Sequence, residues 1–211
     1  MKETLNNVDV KALFASIRDI MVENRDMLVT LDGAMGDGDL GVYMSDGFTS
    51  VCEQIKDNDS LPGRLIAQAG MALNNVAPST LGTLMATALM RGGRVFTGEE
   101  IALSDAVVML EAANNGMMER GKANRGDKTI LDVTIPAQEA LKAAFDAGKS
   151  FSEALDDAAA AAAEGVEVSK MWRSVRGRAG YYGDSSIGKI DAGAMAGSLL
   201  FKALADGFKN L

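Results

Sequence analysis

Histidine is absent from this chain of 211 residues, and Cys52 is its only cysteine. These absences exclude an intrachain disulfide, a histidine-based catalytic triad and zinc sites of the Cys/His kind. Any metal must therefore be held mainly by oxygen, which favours the hard cations magnesium and calcium. Proline is scarce as well: only Pro62, Pro78 and Pro136 occur, so long stretches are free to be helical. No apolar run approaches the roughly 18 residues of a membrane span, and the polar start MKETLNNVD lacks the apolar stretch of a signal peptide. A soluble, cytoplasmic protein with no membrane partner is expected. Positive charge is in deficit too, with 21 Lys and Arg against 29 Asp and Glu. The net charge of -8 argues against a nucleic-acid surface. A phosphate ligand would need its cationic partners concentrated locally.

What the chain does have is helical periodicity. In VDVKALFASIRDIMVENRDML, the residues Val10, Leu13, Phe14, Ile17, Ile20 and Met21 fall at three- and four-residue steps, the stripe of an amphipathic helix. Thr97 with Glu100, and Ser150 with Glu153, have capping-box spacing and mark two further helix starts. Residues 156–164 are mostly alanine, the best helix former and small enough for close helix approach. Met195, Leu199, Leu200, Ala203, Leu204 and Phe208 repeat the helical period near the end of the chain. MLVTLD, RVFTG and VTIP are too short and too irregular to argue for strands. These features predict an all-α bundle, one domain over residues 1–211. In an up-and-down arrangement alternate loops meet at one end, where residues distant in sequence can share a site.

GDGDLG, residues 36–41, is the segment richest in chemistry. Its glycine spacing fits a dinucleotide loop, but that motif needs a strand before it, and Asp37 and Asp39 stand where a pyrophosphate would approach. An EF-hand starting at Asp37 fails at its fifth and twelfth positions, which are Gly41 and Phe48. The remaining readings are a solvated acidic turn and a metal site that includes Asp32. On a regular helix Asp32 and Asp37 would point about 140° apart, and Asp37 and Asp39 about 200° apart. A loop in which Gly33, Gly36 and Gly38 adopt positive φ could fold all three round one point.

GDSSIGKI, residues 183–190, mimics a P-loop but has Ile190 where Ser or Thr would bind magnesium, and no clear strand precedes it. The surrounding segment nevertheless gathers Arg173, Arg176, Arg178 and Lys189 among glycines. It is either a basic exposed loop or the phosphate-facing side of a site. In NNVAPSTLGT, Ser79 and Thr80 precede an apolar helix, as an N-cap or as donors to an anion, two compatible roles. In ERGKANRGDKT, Lys122 and Lys128 read as surface charges.

Four of these segments, LDGAMGDGDLG, APSTLGT, RGKANRGDKTILDV and GRAGYYGDSSIGKIDAGA, occur in the order and rough spacing of the nucleotide-binding L subunit of bacterial dihydroxyacetone kinases. The chain resembles that family over nearly its whole length. The resemblance implies an antiparallel eight-helix barrel, with ADP or ATP at one end and its phosphates held through two magnesium ions. By position, Asp32, Asp37 and Asp39 resemble the metal-binding aspartates. Leu40 and Gly41 correspond to the helix start facing the phosphates, and Ser79 and Thr80 to a second phosphate loop. Gly121 and Ile130 match positions near the base and ribose, and Arg178, Asp191 and Gly193 the C-terminal nucleotide contacts. No further catalytic side chain is implied. The chain departs from the family in having Leu40 in place of a histidine, and a shortened loop NVAPSTLG, which marks a divergent branch.

The resemblance further implies a short-ketose kinase, in which a separate K subunit holds the ketose through a histidine of its own. A phosphoryl-carrier M subunit recharges bound ADP in one version of the family, and free ATP exchanges in others. A homodimer is compatible with either. The alternative class is a non-catalytic nucleotide-binding regulator that docks partner proteins.

Overall fold

A computed structural model describes residues 2–211. The first helix, α1 (Asn7–Glu23), is opened by a reciprocal cap: the Asn6 side chain accepts from the backbone of Val8 and Asp9, and Asp9 accepts from the Asn6 N–H. Its stripe of Val10, Leu13, Phe14, Ile17 and Met21 is buried. The periodic segment is two helices, not one. Asn24 turns its amide back onto the Ile20 carbonyl at 2.8 Å, and a second helix, α2 (Arg25–Gly33), sets off from there.

The other helices are α3 (Leu40–Ile55), α4 (Pro62–Val76), α5 (Thr80–Arg94), α6 (Leu103–Gly121), α7 (Leu131–Asp146), α8 (Phe151–Ser169) and α9 (Ala192–Phe208). Pro62 occupies the first turn of α4, where no N–H is needed. Ser150 and Glu153 form the expected capping box of α8. The one expected at Thr97 and Glu100 does not form. There α6 begins at Leu103, where Asp105 accepts from the Ala102 N–H, and Glu100 instead accepts from the Thr4 hydroxyl at 2.6 Å. A tertiary partner has claimed the side chain that local spacing assigned to a cap. MLVTLD lies largely within α2 and VTIP within α7. The strands among the described residues are β1 (Thr4–Leu5) and β2 (Ile101–Ala102), an antiparallel pair of two residues each.

The long helices pack in a closed ring: α1 on α3, α3 on α4, then α5, α6, α7, α8 and α9 in turn, with α9 back against α1. This is the eight-helix barrel, with α2 lying outside it against α3 and α9. Glycines permit the closest approaches. A Cβ on Gly165 of α8 would lie 2.4 Å from the Asp132 carbonyl of α7. The buried side chains form one continuous cluster. An apolar cavity of about 250 Å³ remains inside the ring, lined by residues such as Phe14, Phe48, Met109 and Phe201, with no charged side chain among them. Because the helices alternate in direction, four connections gather at one end: residues 34–39, 77–79, 122–130 and 170–191. No helix among the described residues is long and apolar enough to cross a membrane.

Candidate functional site

The four gathered connections enclose a cleft of about 490 Å³, within the usual range of a small-molecule site. Its acidic side is built from a helix end, a loop and a helix start. Asp32 sits in the last turn of α2, Asp37 in the loop, and Asp39 immediately before α3. One oxygen from each of these three acids lies within 4.8 Å of the others. The loop closes because the Asp32 carboxylate accepts from the backbone N–H of Gly38 at 2.9 Å and of Leu40 at 3.4 Å. Gly38 is the glycine that needs a left-handed backbone, at φ +76°. Gly33 instead ends α2, and Gly36 is needed for space, since a Cβ there would meet the Asp32 carboxylate at 2.4 Å.

Eleven of the twelve residues named from sequence line this cleft: Asp32, Asp37, Asp39, Leu40, Ser79, Thr80, Gly121, Ile130, Arg178, Asp191 and Gly193. Gly41 stands behind the wall, where a Cβ would lie 2.2 Å from the Arg25 carbonyl, so that α3 can start hard against α2. The Leu40 side chain is buried in the core while its N–H faces Asp32. Ser79 is the N-cap of α5, accepting from Gly82 N–H at 3.0 Å, and Thr80 is exposed beside it. Asp191 caps α9 by accepting from Ala194 N–H at 2.8 Å. Deep among protein atoms despite opening on the cleft, Asp191 has its carboxyl pushed up to about 6 by desolvation, and Asp132 adds to that rise. The starts of α3, α5 and α9 thus all reach the cleft, and helix starts favour anions.

The opposite side is basic. Arg178 pairs with Asp37 across the cleft, and Arg176 donates from Nε to Asp127 at 2.9 Å. Of the other cations marked in the sequence, Arg173 faces Asp184 at 3.5 Å, and Lys189 lies 5.7 Å above the Tyr182 ring. The P-loop mimic, residues 183–190, follows no strand: it starts inside a 3₁₀-helical stretch, Arg178–Ser186, that is kinked at Gly183 (φ +54°).

The chemistry of the set fits a divalent cation with a polyphosphate. Three carboxylates this close repel one another unless positive charge sits among them, and the guanidinium of Arg178 supplies only part of it. Asp37 and Asp39 offer hard oxygen ligands of the kind magnesium takes.

Residues 34–206 match the sequence profile of the DAK2 domain. The chain belongs to that family. This DAK2 chain is 31% identical over 185 residues to the ADP-binding subunit DhaL of PEP-dependent dihydroxyacetone kinase 1 from Listeria innocua, covering 86% of this chain and 87% of that one. It is equally similar, at 31% over 191 residues, to the corresponding Escherichia coli subunit, covering 89% and 90%. The native dihydroxyacetone kinase of C. freundii shares the fold, with a TM-score of 0.73 at 23% identity, over 98% of this chain and 35% of that one.

Three residues at or behind the wall of this DAK2 cleft escaped sequence reading. Lys128, expected at the surface, is only 1% exposed. Its ammonium donates to the carbonyls of Ser186 at 2.6 Å, Trp172 at 3.1 Å and Lys170 at 3.4 Å. Asp132 is equally buried and accepts from the N–H groups of Gly126 and Thr129 at 2.6 and 2.5 Å, which folds residues 126–129 around it. Burial pushes the Asp132 carboxyl up and the Lys128 ammonium down from their ordinary values. Asp127, which receives Arg176, is the third. The turn-like string RGDKT gave no sign of burial, because the segment that covers it lies some forty to sixty residues further along.

Proposed function

We propose that this chain is the ADP- or ATP-binding subunit of a short-ketose kinase, with residues 1–211 acting as one nucleotide-binding unit. The observation that carries the reading is the trio Asp32, Asp37 and Asp39, converging within 4.8 Å across the cleft from Arg178. The names of the similar DhaL subunits support the nucleotide, and the C. freundii kinase described in complex with AMP-PNP and Mg2+ has the same fold at 24% identity. The L-erythrulose 1-kinase of Mycolicibacterium smegmatis, 31% identical over 94% of this chain, supports a short ketose as acceptor; this chain spans 35% of its length.

Asp32, Asp37 and Asp39 would hold magnesium, two ions in all, and Asp32 also holds the loop in shape through the N–H groups of Gly38 and Leu40. Magnesium, when bound, neutralises charge on the phosphates and holds them in line with the acceptor. The start of α3 at Leu40, with Gly41 allowing its close seat on α2, and the start of α5 at Ser79 and Thr80 present backbone donors to phosphate oxygens. Gly121 and Ile130 form the floor for the base and ribose. Arg178 would offer its planar fork to the phosphate. Asp191 and Gly193 hold the start of α9 against the nucleotide.

Transfer is then a substitution at the terminal phosphorus. A ketose hydroxyl oxygen bonds to phosphorus, the bond to the ADP oxygen breaks, and the hydroxyl proton passes to water. The chain has no histidine with which to hold a ketose covalently, which fits a separate K subunit as the ketose-holding partner. The rim offers that partner a surface, with Met171 and Tyr181 78% and 93% exposed. The phosphoryl donor is free ATP or an M-type phosphoryl carrier acting on ADP in place.

Asp37→Ala and Asp39→Ala test the reading by calorimetry with ADP and magnesium. The expected result is a loss of at least about a hundredfold in affinity, or roughly 3 kcal/mol, with the melting temperature within a few degrees of the parent. Undiminished magnesium-dependent ADP affinity in both variants would refute it. Phosphoester formation from ATP and C3 to C5 ketoses, with a K-type partner present, separates a kinase subunit from a nucleotide-binding regulator.

A further inference from the structure

The buried ammonium of Lys128 has no role in the scheme above, yet it is among the costliest groups in the molecule to desolvate. Its hydrogen-bond partners are three main-chain carbonyls, and the Asp191 carboxylate acts on it through charge alone. A lysine carries three donors, and here each finds one acceptor. All three acceptors belong to the connection between α8 and α9, at its beginning (Lys170, Trp172) and near its end (Ser186). The Lys170 carbonyl also accepts from the Gly188 N–H at 2.7 Å, so the two ends of the connection close on one another around the lysine. The backbone of Lys128 is itself left-handed, at φ +60°, in the tight turn that Asp132 organises. A non-glycine residue held in that conformation at full burial reflects a fixed placement.

Between these two anchored ends runs the strap that carries Gly177 and Arg178 to the acidic loop. Its other ties to the 122–130 loop are weaker in kind: the Val175 N–H to the Asp127 carbonyl at 3.3 Å, and the partly exposed Arg176–Asp127 pair. Arg178 itself is 63% exposed, so its position is set by the strap and not by packing of its own side chain.

We propose that Lys128 is a positioning residue: by binding the carbonyls of Lys170, Trp172 and Ser186 it closes the 170–187 strap and sets Arg178 opposite the acidic loop. The assignment rests on the nucleotide-binding reading of the cleft. Lys128 touches no ligand in this scheme, and its effect on phosphate binding passes through Arg178. An uncharged side chain of similar length would fill the same space but leave the Trp172 carbonyl without a donor and the Lys170 and Ser186 carbonyls with only the N–H groups of Gly188 and Lys189, and the strap would loosen.

The prediction separates this role from plain structural support by a double-mutant cycle. Magnesium-ADP affinity is measured by calorimetry for the parent, Lys128→Met, Arg178→Ala and the double variant. Lys128→Met is expected to weaken binding about tenfold in the parent background and less than threefold when Arg178 is already alanine. Trp172, the only tryptophan of the chain, reports the strap directly, and its emission should shift to the red in Lys128→Met. Amide exchange should quicken across residues 170–187 and stay unchanged in α4 and α5. Equal losses in both backgrounds, or unchanged affinity with an unshifted Trp172, would overturn the proposal. If Lys128→Met does not fold, Lys128→Gln, which keeps two donors, replaces it in the same cycle, with an intermediate loss expected and the same outcomes overturning it. A parent protein that binds no ADP would count against the nucleotide reading instead, while the fluorescence and exchange measurements would still decide whether Lys128 holds the strap.

Discussion

The acidic side of the cleft, residues 32–41, is fastened at both ends to helices: Asp32 belongs to α2, Leu40 to α3, and Gly41 lets the two meet backbone to backbone. The basic side, residues 170–191, is a twenty-two-residue connection with one 3₁₀-helical stretch, exposed arginines and a buried lysine at its base. The difference lies in how each charge is held. Three carboxylates with oxygens within 4.8 Å of one another stand against their own repulsion, and the two helices give them a rigid frame. Arg178, 63% exposed, is carried instead on a strap tethered at its ends.

That contrast can be broken most severely on the rigid side. Gly41→Ala places a methyl group 2.2 Å from the Arg25 carbonyl, where backbone on both sides must give way. Overpacking of this kind costs about 3 kcal/mol, and thermal unfolding should show a large fall in melting temperature together with lost ADP binding. On the strap side a substitution should leave the fold untouched. Arg178→Ala removes an exposed ion pair that is worth about 0 to 1 kcal/mol to stability, so its melting temperature should hold while ADP affinity falls about tenfold, the value of one charge-assisted contact.

Asp191, at the junction of strap and α9, sharpens the comparison through pH. Its folded carboxyl titrates at about 6 against an ordinary 3.8, because burial disfavours the charged form. Between those values the folded chain holds a proton that the unfolded chain has released, so this group makes the protein less stable as pH rises through the window. Asp191→Asn keeps a capping oxygen and removes the charge. Denaturation of the ligand-free chain should show the variant more stable above pH 6, by on the order of 1 kcal/mol, with the advantage shrinking toward pH 4.

Much of the barrel was legible because helices announce themselves locally. The stripe of α1, the cap at Ser150 and the alanine run of α8 each rest on neighbours within a few residues. The failures are equally specific. Asn24 breaks what looked like one helix, with a side chain that bonds back to Ile20. Glu100 leaves its capping position for Thr4, almost a hundred residues away. At the site, residue types with a clear chemical preference were readable, as with three acids among glycines or an arginine among small residues. Gly41, read as a phosphate-facing position, turned out to lie behind the cleft wall because its value is in what it lets α2 and α3 do.

Taken alone, the sequence determined which chemistry was available: oxygen ligands without histidine or a cysteine pair, cations in one late segment, and helices long enough to close a ring. These are properties of side chains and of local periodicity, and they travel with the chain. Tertiary structure decided which charges meet and which are hidden. Lys122 and Lys128 lie six residues apart in the same turn-rich segment, but only Lys128 is covered by the strap, because burial depends on what the rest of the chain lays over a residue and not on the residue itself.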